Sequence, residues 1–141
     1  MPPARLKCGG RGTLALMKGK KRILIVEDDY ETGFLLTELL KLHNFDPLWA
    51  KDGAEGIEMV EKEMPDMILL DIMLPKVSGT EVLSVLKSRP RVKEIPVLMC
   101  TILNKLNEVE KCYELGASGY ITKPYDPKRV IDKVRSIFEA S

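Results

Sequence analysis

The amino-acid sequence predicts an α/β fold in which helices cover both faces of a doubly wound, five-stranded parallel sheet. Short apolar runs recur along the chain, and each is followed by a segment with helical periodicity. The alternation repeats five times. Strands that are buried on both faces of a parallel sheet are apolar throughout, and right-handed crossovers place helices on each face. Five strands and five helices are therefore expected.

In the first half, each apolar run ends at a polar or turn residue, and two of them end at acids. The predicted elements are strand 23–26, helix 30–43, strand 46–50, helix 53–63 and strand 67–71. Acids at the entrance of the first helix suit the positive end of its dipole. Helical spacing predicts that this helix buries one face. That face consists of Phe34, Leu35, Leu39, Leu40 and Leu42.

The second half continues the alternation, with Pro90 and Pro96 bracketing one connection. The predicted elements are helix 80–89, strand 97–101, helix 105–115, strand 119–122 and helix 126–139. Gly116 is placed where a left-handed residue ends the fourth helix. The last helix is expected to bury Val130, Val134, Ile137 and Phe138.

The charge of the chain is unevenly distributed. The net charge is +1, but residues 1–22 contain seven basic residues and no acid, so the remaining chain has 15 basic and 21 acidic residues, a charge of −6. We treat residues 1–20 as a basic, disordered leader and residues 21–141 as one domain. Nucleic-acid binding requires a surface rich in Lys and Arg, so the acidic part of the chain after residue 22, the acidic body, is not expected to bind nucleic acid.

Three cysteines are too few and too widely spaced for a disulfide framework or a zinc site. They are Cys8, Cys100 and Cys112. A reducing cytoplasm is the expected location. The apolar run 14–17 is too short for a signal peptide or a membrane span, so no membrane association is expected.

Polar residues gather where the predicted strands end. In doubly wound sheets, ligands bind beyond the carboxyl ends of the strands at the topological switch point, where Asp28, Asp71 and Thr101 all fall. Neighbouring carboxylates repel one another unless a cation intervenes. Mg²⁺ accepts such oxygen ligands, and Mn²⁺ should substitute for it. Lys123 follows the fifth strand, where its ammonium could neutralise a phosphoryl group.

Five segments in this order resemble the receiver domains of response regulators in two-component signal transduction, including the chemotaxis-type single-domain receivers. They are Glu27-Asp28, the run 70–75 (LDIMLP) with Gly79, the run 96–101 (PVLMCT), the run 116–120 (GASGY) and Lys123-Pro124. Each segment alone is weak, but the set is specific. The resemblance covers about residues 21–141 and implies a flavodoxin-like sheet of order 2-1-3-4-5.

The resemblance also implies a chemistry. A sensor histidine kinase or phosphotransfer protein would supply a phosphoryl group, and Asp71 would accept it as an aspartyl phosphate. Mg²⁺ would be bound directly by Asp28 and Asp71, through water by Glu27, and by the main-chain carbonyl of Met73. The chain would be a signalling switch that gains and loses a phosphoryl group, and it would not be a turnover enzyme.

The remaining implied roles concern signalling. Thr101 and Lys123 would hold phosphoryl oxygens, and Thr101 and Tyr120 would then switch the face formed by helix four, strand five and helix five. That face would bind a downstream protein target, or would act on an output domain outside this chain. Ile102 stands where the family usually has a small residue, so access to the site and phosphate lifetime are expected to differ.

Three other functions are alternatives to a phosphate-accepting switch. Aspartyl-phosphate phosphohydrolases resemble one another in having a second Asp two residues after the nucleophilic Asp. In this sequence that position is Met73, so no general acid is in place. A flavodoxin-like cofactor binder needs amide donors after strand one, and acids stand there instead. A receiver-like module that binds partners without phosphorylation is the remaining alternative.

Overall fold

The computed structural model describes residues 19–102 and 106–140. The predicted leader 1–20 lies outside these residues except for its last two positions, and so does the predicted start of the fourth helix at residue 105. The elements are β1 (Arg22–Val26), α1 (Tyr30–Leu42), β2 (Asp46–Ala50), α2 (Gly53–Glu63), β3 (Met67–Asp71), α3 (Gly79–Lys87), β4 (Val97–Ile102), α4 (Leu106–Glu114), β5 (Gly119–Lys123) and α5 (Pro127–Ala140). Their types and order agree with the sequence prediction.

The five strands form one parallel sheet in the order β2-β1-β3-β4-β5. This confirms the doubly wound α/β fold and the strand order 2-1-3-4-5. Alternate residues of β1 point to opposite faces, so that Leu24 and Val26 join one apolar core while Ile23 and Ile25 join the other. The first core is completed by α2, α3 and α4, and the second by α1 and α5.

The buried face of α1 differs from the prediction. Phe34, Leu35 and Leu42 are 50%, 56% and 78% exposed, whereas Leu36 and Leu40 are buried against the sheet. Leucines are spread over a broad arc of this helix, so its apolar residues fit more than one stripe. Packing against the sheet selects the stripe that also contains Gly33.

Side chains accept hydrogen bonds from free backbone N–H groups at the starts of α1 and α3. These caps fix where the loops after β1 and β3 end. Asp29 caps α1 and accepts hydrogen bonds from the Thr32 N–H (2.9 Å) and hydroxyl (2.6 Å). These bonds hold the pKa of Asp29 below its ordinary value. Ser78 and Glu81 form a reciprocal capping box at the start of α3.

The predicted end of the fourth helix is confirmed. Gly116 has a φ of 107°, the left-handed conformation expected after α4. Cys100 and Cys112 are buried in the two cores, and burial raises the pKa of the Cys100 thiol to about 12. Within the part of the chain that the structure covers, no helix combines the length and apolarity needed to cross a bilayer.

Candidate functional site

Neighbouring strands bring the predicted site residues to one edge of the sheet. The register pairs Val26 of β1 with Leu70 of β3, so Glu27 and Asp71 emerge side by side from adjacent strands. On the other flank, β4 pairs with β5, and Ile102 lies opposite Lys123. The convergence predicted from strand ends is therefore present in the fold, because all five strands run in the same direction.

Three acids form the centre of this edge. Glu27, Asp28 and Asp71 each place a carboxylate oxygen within 4.8 Å of the others. Glu27 and Asp71 are only 1% and 4% exposed, whereas Asp28 is exposed. Two buried carboxylates thus lie behind a third that faces solvent.

Both carboxylate oxygens of Asp71 are held in place. Oδ1 accepts a hydrogen bond from the main-chain N–H of Met73 (3.0 Å), in the loop that follows β3. Oδ2 accepts one from the Lys123 ammonium (3.1 Å). These contacts fix the orientation of the carboxylate at the edge of the sheet.

Lys123 joins the two buried acids. Its Nζ lies 3.0 Å from Glu27 Oε1 and 3.1 Å from Asp71 Oδ2. Burial alone would lower the pKa of Lys123, but the negative charges of Asp71 and Glu27 outweigh it and hold this pKa above its ordinary value. The ammonium is consequently a fixed positive charge beside the Asp71 carboxylate.

Glu27 is the most buried of the three acids. Its Oε2 accepts a hydrogen bond from the Asp29 N–H (3.1 Å). Its Oε1 is buried and, among the described residues, receives no hydrogen bond of good geometry. Burial and the nearby Asp71 charge raise the pKa of Glu27 to about 7. A carboxyl group in this position is unfavourable in its charged form.

This raised pKa predicts a stability that falls with pH in the metal-free protein. Between the ordinary value of 4.5 and about 7, the folded protein binds the Glu27 proton more tightly than the unfolded chain does. The stabilising contribution is complete below pH 4.5 and is lost as the pH rises through about 7. In EDTA, the wild type should lose more stability than Glu27→Gln between pH 5 and pH 8, as measured by thermal unfolding. Equal pH slopes for the two proteins would contradict the assignment.

The donor set fits a hard divalent cation. Three carboxylates face one ammonium, which leaves two negative charges uncompensated among these four groups. The buried Oε1 of Glu27 lies 3.0 Å from the Lys123 ammonium but receives no well-aligned hydrogen bond among the described residues, so it retains acceptor capacity. Mg²⁺ prefers a few carboxylate oxygens and retains several waters. This cluster offers three carboxylates, and its exposed side at Asp28 is open to water.

The other predicted site residues lie on β4, on β5 and in the loop after β3. Thr101 is buried at the end of β4, and its hydroxyl donates a hydrogen bond to the Ile102 carbonyl (3.1 Å). Ile102 is half-buried. Met73 contacts Asp71 through its N–H, and the predicted role of its carbonyl stays a prediction. Tyr120 in β5 is 37% exposed and packs edge-on against Tyr113 of α4, with ring centroids 6.3 Å apart.

Sequence reasoning missed two aromatic contacts and left one glycine unexplained. The Trp49 indole N–H donates to the main-chain carbonyl of Glu27 (2.9 Å), and Tyr113 contacts Tyr120. An aromatic residue in a strand or helix gives no sequence signal of such a partner. Gly79 was part of the family pattern without a physical reason. A Cβ there would overlap the Asp71 carbonyl oxygen and lie 2.7 Å from the Ile72 Cα.

The fold and the site together define a class of protein, in which a doubly wound parallel sheet carries an acidic cluster and a lysine at its switch point. A family model described as "Response regulator receiver domain" matches residues 23–135. The chain therefore belongs to the response regulator receiver domain family of two-component signalling.

Individual relatives agree with this assignment. The chain is 37% identical to the "DNA-binding dual master transcriptional regulator RpaA" of Synechocystis over 116 residues, which cover 82% of this chain and 48% of the relative. It is also 37% identical to the "Alkaline phosphatase synthesis transcriptional regulatory protein PhoP" of Bacillus subtilis, over 86% of this chain and 50% of the relative. The chain thus spans about half the length of these curated relatives.

Solved structures give the same result for the fold. The crystal structure of a putative response regulator from Chloroflexus aurantiacus superposes with a TM-score of 0.80 at 27% identity. The superposition covers 84% of this chain and 97% of the other chain. The match extends over nearly the whole of that receiver.

Proposed function

We propose that this chain is a phosphoacceptor switch in which Asp71 receives a phosphoryl group from the phosphohistidine of a sensor kinase or phosphotransfer protein. The observation that carries the proposal is the Asp71 carboxylate itself. It is almost fully buried at the end of β3, oriented by the Met73 N–H, bonded to the Lys123 ammonium that also contacts Glu27, and clustered with the carboxylates of Glu27 and Asp28. Membership of the receiver family supports this role.

The transfer step needs little from the protein beyond placement and charge. One carboxylate oxygen of Asp71 attacks the phosphorus and forms an O–P bond, while the P–N bond breaks and the imidazole nitrogen keeps the electron pair. Lys123 offsets the charge on the transferred group, and the Thr101 hydroxyl would hold another phosphoryl oxygen. The acyl phosphate is later hydrolysed at the same residue, so Asp71 is regenerated.

A bound Mg²⁺ would supply positive charge to the phosphoryl oxygens during transfer. Asp28 and Asp71 are the proposed direct ligands, with Glu27 acting through water and Met73 through its main-chain carbonyl. The clustering of the three acids and the remaining acceptor capacity of Glu27 Oε1 support this assignment. Mn²⁺ is expected to substitute because it accepts the same ligands.

The test is incubation of the purified chain with Mg²⁺ and a small-molecule phosphodonor, followed by intact-mass spectrometry. The proposal predicts the mass gain of one phosphoryl group, and EDTA should prevent it. Peptide mapping after chemical trapping of the acyl phosphate should locate the gain at Asp71. Failure to acquire phosphate from a small donor and from histidine kinases alike would leave only a phosphorylation-independent binding module.

Two neighbouring residues are proposed to set the response. Thr101 would shift towards the phosphoryl group, and Tyr120 would turn inward, which alters the face formed by α4, β5 and α5. The half-exposed ring of Tyr120 supports a side chain that has room to change position. Ile102, opposite Lys123 in the sheet, is proposed to restrict access of water and so to lengthen the life of the phosphate.

The contact between Tyr113 and Tyr120 predicts a bias towards the outward position. An edge-to-face aromatic pair contributes about 0.5–1.5 kcal/mol, and Tyr120 must give up this contact to turn inward. Beryllofluoride mimics the phosphoryl group and should bind more tightly when Tyr120 turns inward more easily. In Tyr113→Leu, the concentration of beryllofluoride that half-saturates the protein should therefore fall by about two- to tenfold. Tyr113→Phe keeps the ring and serves as the control. Identical values for Leu and wild type would show that the pair does not oppose switching.

The output is proposed to lie outside the residues of this chain. The aligned residues cover only about half of each of these curated relatives, which are named as transcriptional regulators. We propose that the switching face acts on an attached output domain or on a separate protein target, and that the acidic body does not itself bind nucleic acid. Two buried free thiols are in keeping with the expected cytoplasmic location.

A further inference from the structure

Trp49, the single tryptophan of the chain, contacts the backbone of the acidic cluster. Its indole N–H donates a hydrogen bond of 2.9 Å to the main-chain carbonyl oxygen of Glu27. That carbonyl belongs to the peptide unit that joins Glu27 to Asp28. The contact therefore acts on the link between one buried acid and the exposed one.

A glycine in α1 makes room for the indole. A Cβ at Gly33 would overlap Cζ2 and Cε2 of Trp49 and lie 2.7 Å from its Nε1. Glycine within a helix costs about 1 kcal/mol relative to alanine. The position of Trp49 gives Gly33 a specific packing role that offsets this cost. Tyr30 also packs against Trp49, with ring centroids 5.6 Å apart.

Strand pairing holds only part of the acid pair. The Glu27 N–H donates to the Ala50 carbonyl (3.0 Å), which fixes the peptide before Glu27. The next peptide lies beyond the end of β1, where the ladder with β2 stops. Its orientation determines where the Asp28 side chain points, because consecutive side chains of an extended chain face opposite sides. The Trp49 N–H bonds to this second peptide.

We propose that Trp49 is a positioning residue for the divalent-cation site, a role that rests on the function proposed above. By holding the Glu27–Asp28 peptide in one orientation, Trp49 keeps the Glu27 carboxylate inside and the Asp28 carboxylate at the open edge. The three acids then meet around one point without reorganisation. A site that is ordered before the cation binds loses less conformational freedom on binding.

The test measures binding of Mn²⁺ alone by the electron paramagnetic resonance signal of the free ion, with Mg²⁺ as competitor. Trp49→Phe keeps an aromatic ring but loses the N–H donor, and it should bind Mn²⁺ about three- to tenfold more weakly, the size of one net hydrogen bond. Lys51→Met is the matched control. It removes the ammonium that lies 5.3 Å from the Trp49 ring centroid and leaves the indole N–H in place, so its affinity should equal that of the wild type.

A second variant separates positioning from general loss of stability. Gly33→Ala should displace the indole and weaken Mn²⁺ binding in the wild-type background. In the Trp49→Phe background, the smaller ring leaves room for the methyl group, so Gly33→Ala should add little further loss. This non-additivity is what coupling through Trp49 predicts. A purely structural effect of each substitution would add in the double variant, and this would overturn the proposal.

The remaining outcomes distinguish the two levels of the argument. Circular dichroism checks that each variant is folded before binding is measured. If the wild type binds Mn²⁺ and Trp49→Phe binds it equally well, the positioning role is wrong while the proposed cation site stands. If the folded wild type binds neither Mn²⁺ nor Mg²⁺, the cation site itself is wrong, and the role of Trp49 falls with it.

Discussion

Replacing Asp71 with asparagine is expected to abolish phosphorylation completely and, at the same time, to stabilise the metal-free protein. The amide cannot form an acyl phosphate, so no mass gain should appear with any donor. The stabilisation follows because the buried charges of Glu27 and Asp71 repel each other, and the Asp71 charge helps to raise the pKa of Glu27 to about 7. Removing it should lower that pKa and stabilise the fold by about 1 kcal/mol, a rise in Tm of roughly 3–5 °C.

Two measurements check both parts of this expectation. Intact-mass spectrometry in Mg²⁺ and phosphodonor reports phosphorylation, and thermal unfolding in EDTA at pH 8 reports stability. Asp46→Asn makes the same chemical change at an exposed position at the start of β2, on the opposite edge of the sheet. That control should be phosphorylated normally and unfold like the wild type. Residual phosphorylation of Asp71→Asn would place the acceptor on another residue.

Replacing Gly79 with alanine is expected to disturb the backbone that carries the acceptor. Gly79 donates a hydrogen bond from its N–H to the Ile72 carbonyl (2.9 Å), and its Cα lies directly against the chain after β3. A methyl group there would overlap the Asp71 carbonyl oxygen, which cannot move independently of the acceptor. Overpacking of this kind costs about 1–3 kcal/mol. Because the strain falls on Asp71 itself, the rate of phosphorylation should fall as well.

Urea unfolding and the rate of mass gain from a small phosphodonor measure these two effects. Gly19→Ala is the matched control, since nothing lies within 4 Å of the added methyl group. It should leave both the stability and the rate unchanged, because the added methyl group contacts nothing. A Gly79→Ala protein with wild-type stability and rate would mean that the loop after β3 can shift away from Asp71 at little cost.

Most of the fold could be predicted from the sequence, because the three central strands, β1, β3 and β4, are buried on both faces. The run 67–71 is apolar except for its last residue, and every side chain in it is buried. The ends of β1 and β3 were likewise clear, because Glu27 follows β1 and Asp71 is the last residue of β3. Element boundaries moved by a few residues at most, as in α3, where the helix begins at Gly79 instead of at residue 80.

The candidate site divides in a similar way. Asp71, Glu27 and Lys123 could be identified because each follows a different apolar run, and parallel strands must bring those ends to one edge. Their individual contacts could not be predicted. The Lys123 ammonium lies between the two buried acids at nearly equal distances, and this depends on the order in which β1, β3 and β5 are arranged in the sheet.

The sequence by itself determined the number and order of the elements, the parallel sheet and the edge at which the acids meet. These follow from local periodicity and from residues near in the chain. Only the tertiary structure decided that α1 buries Leu36 instead of Leu35, that Trp49 lies over Gly33 and bonds to Glu27, and that Tyr120 contacts Tyr113. Each of these depends on how separate elements pack together, and a pattern along one element holds no information about which neighbour will pack against it.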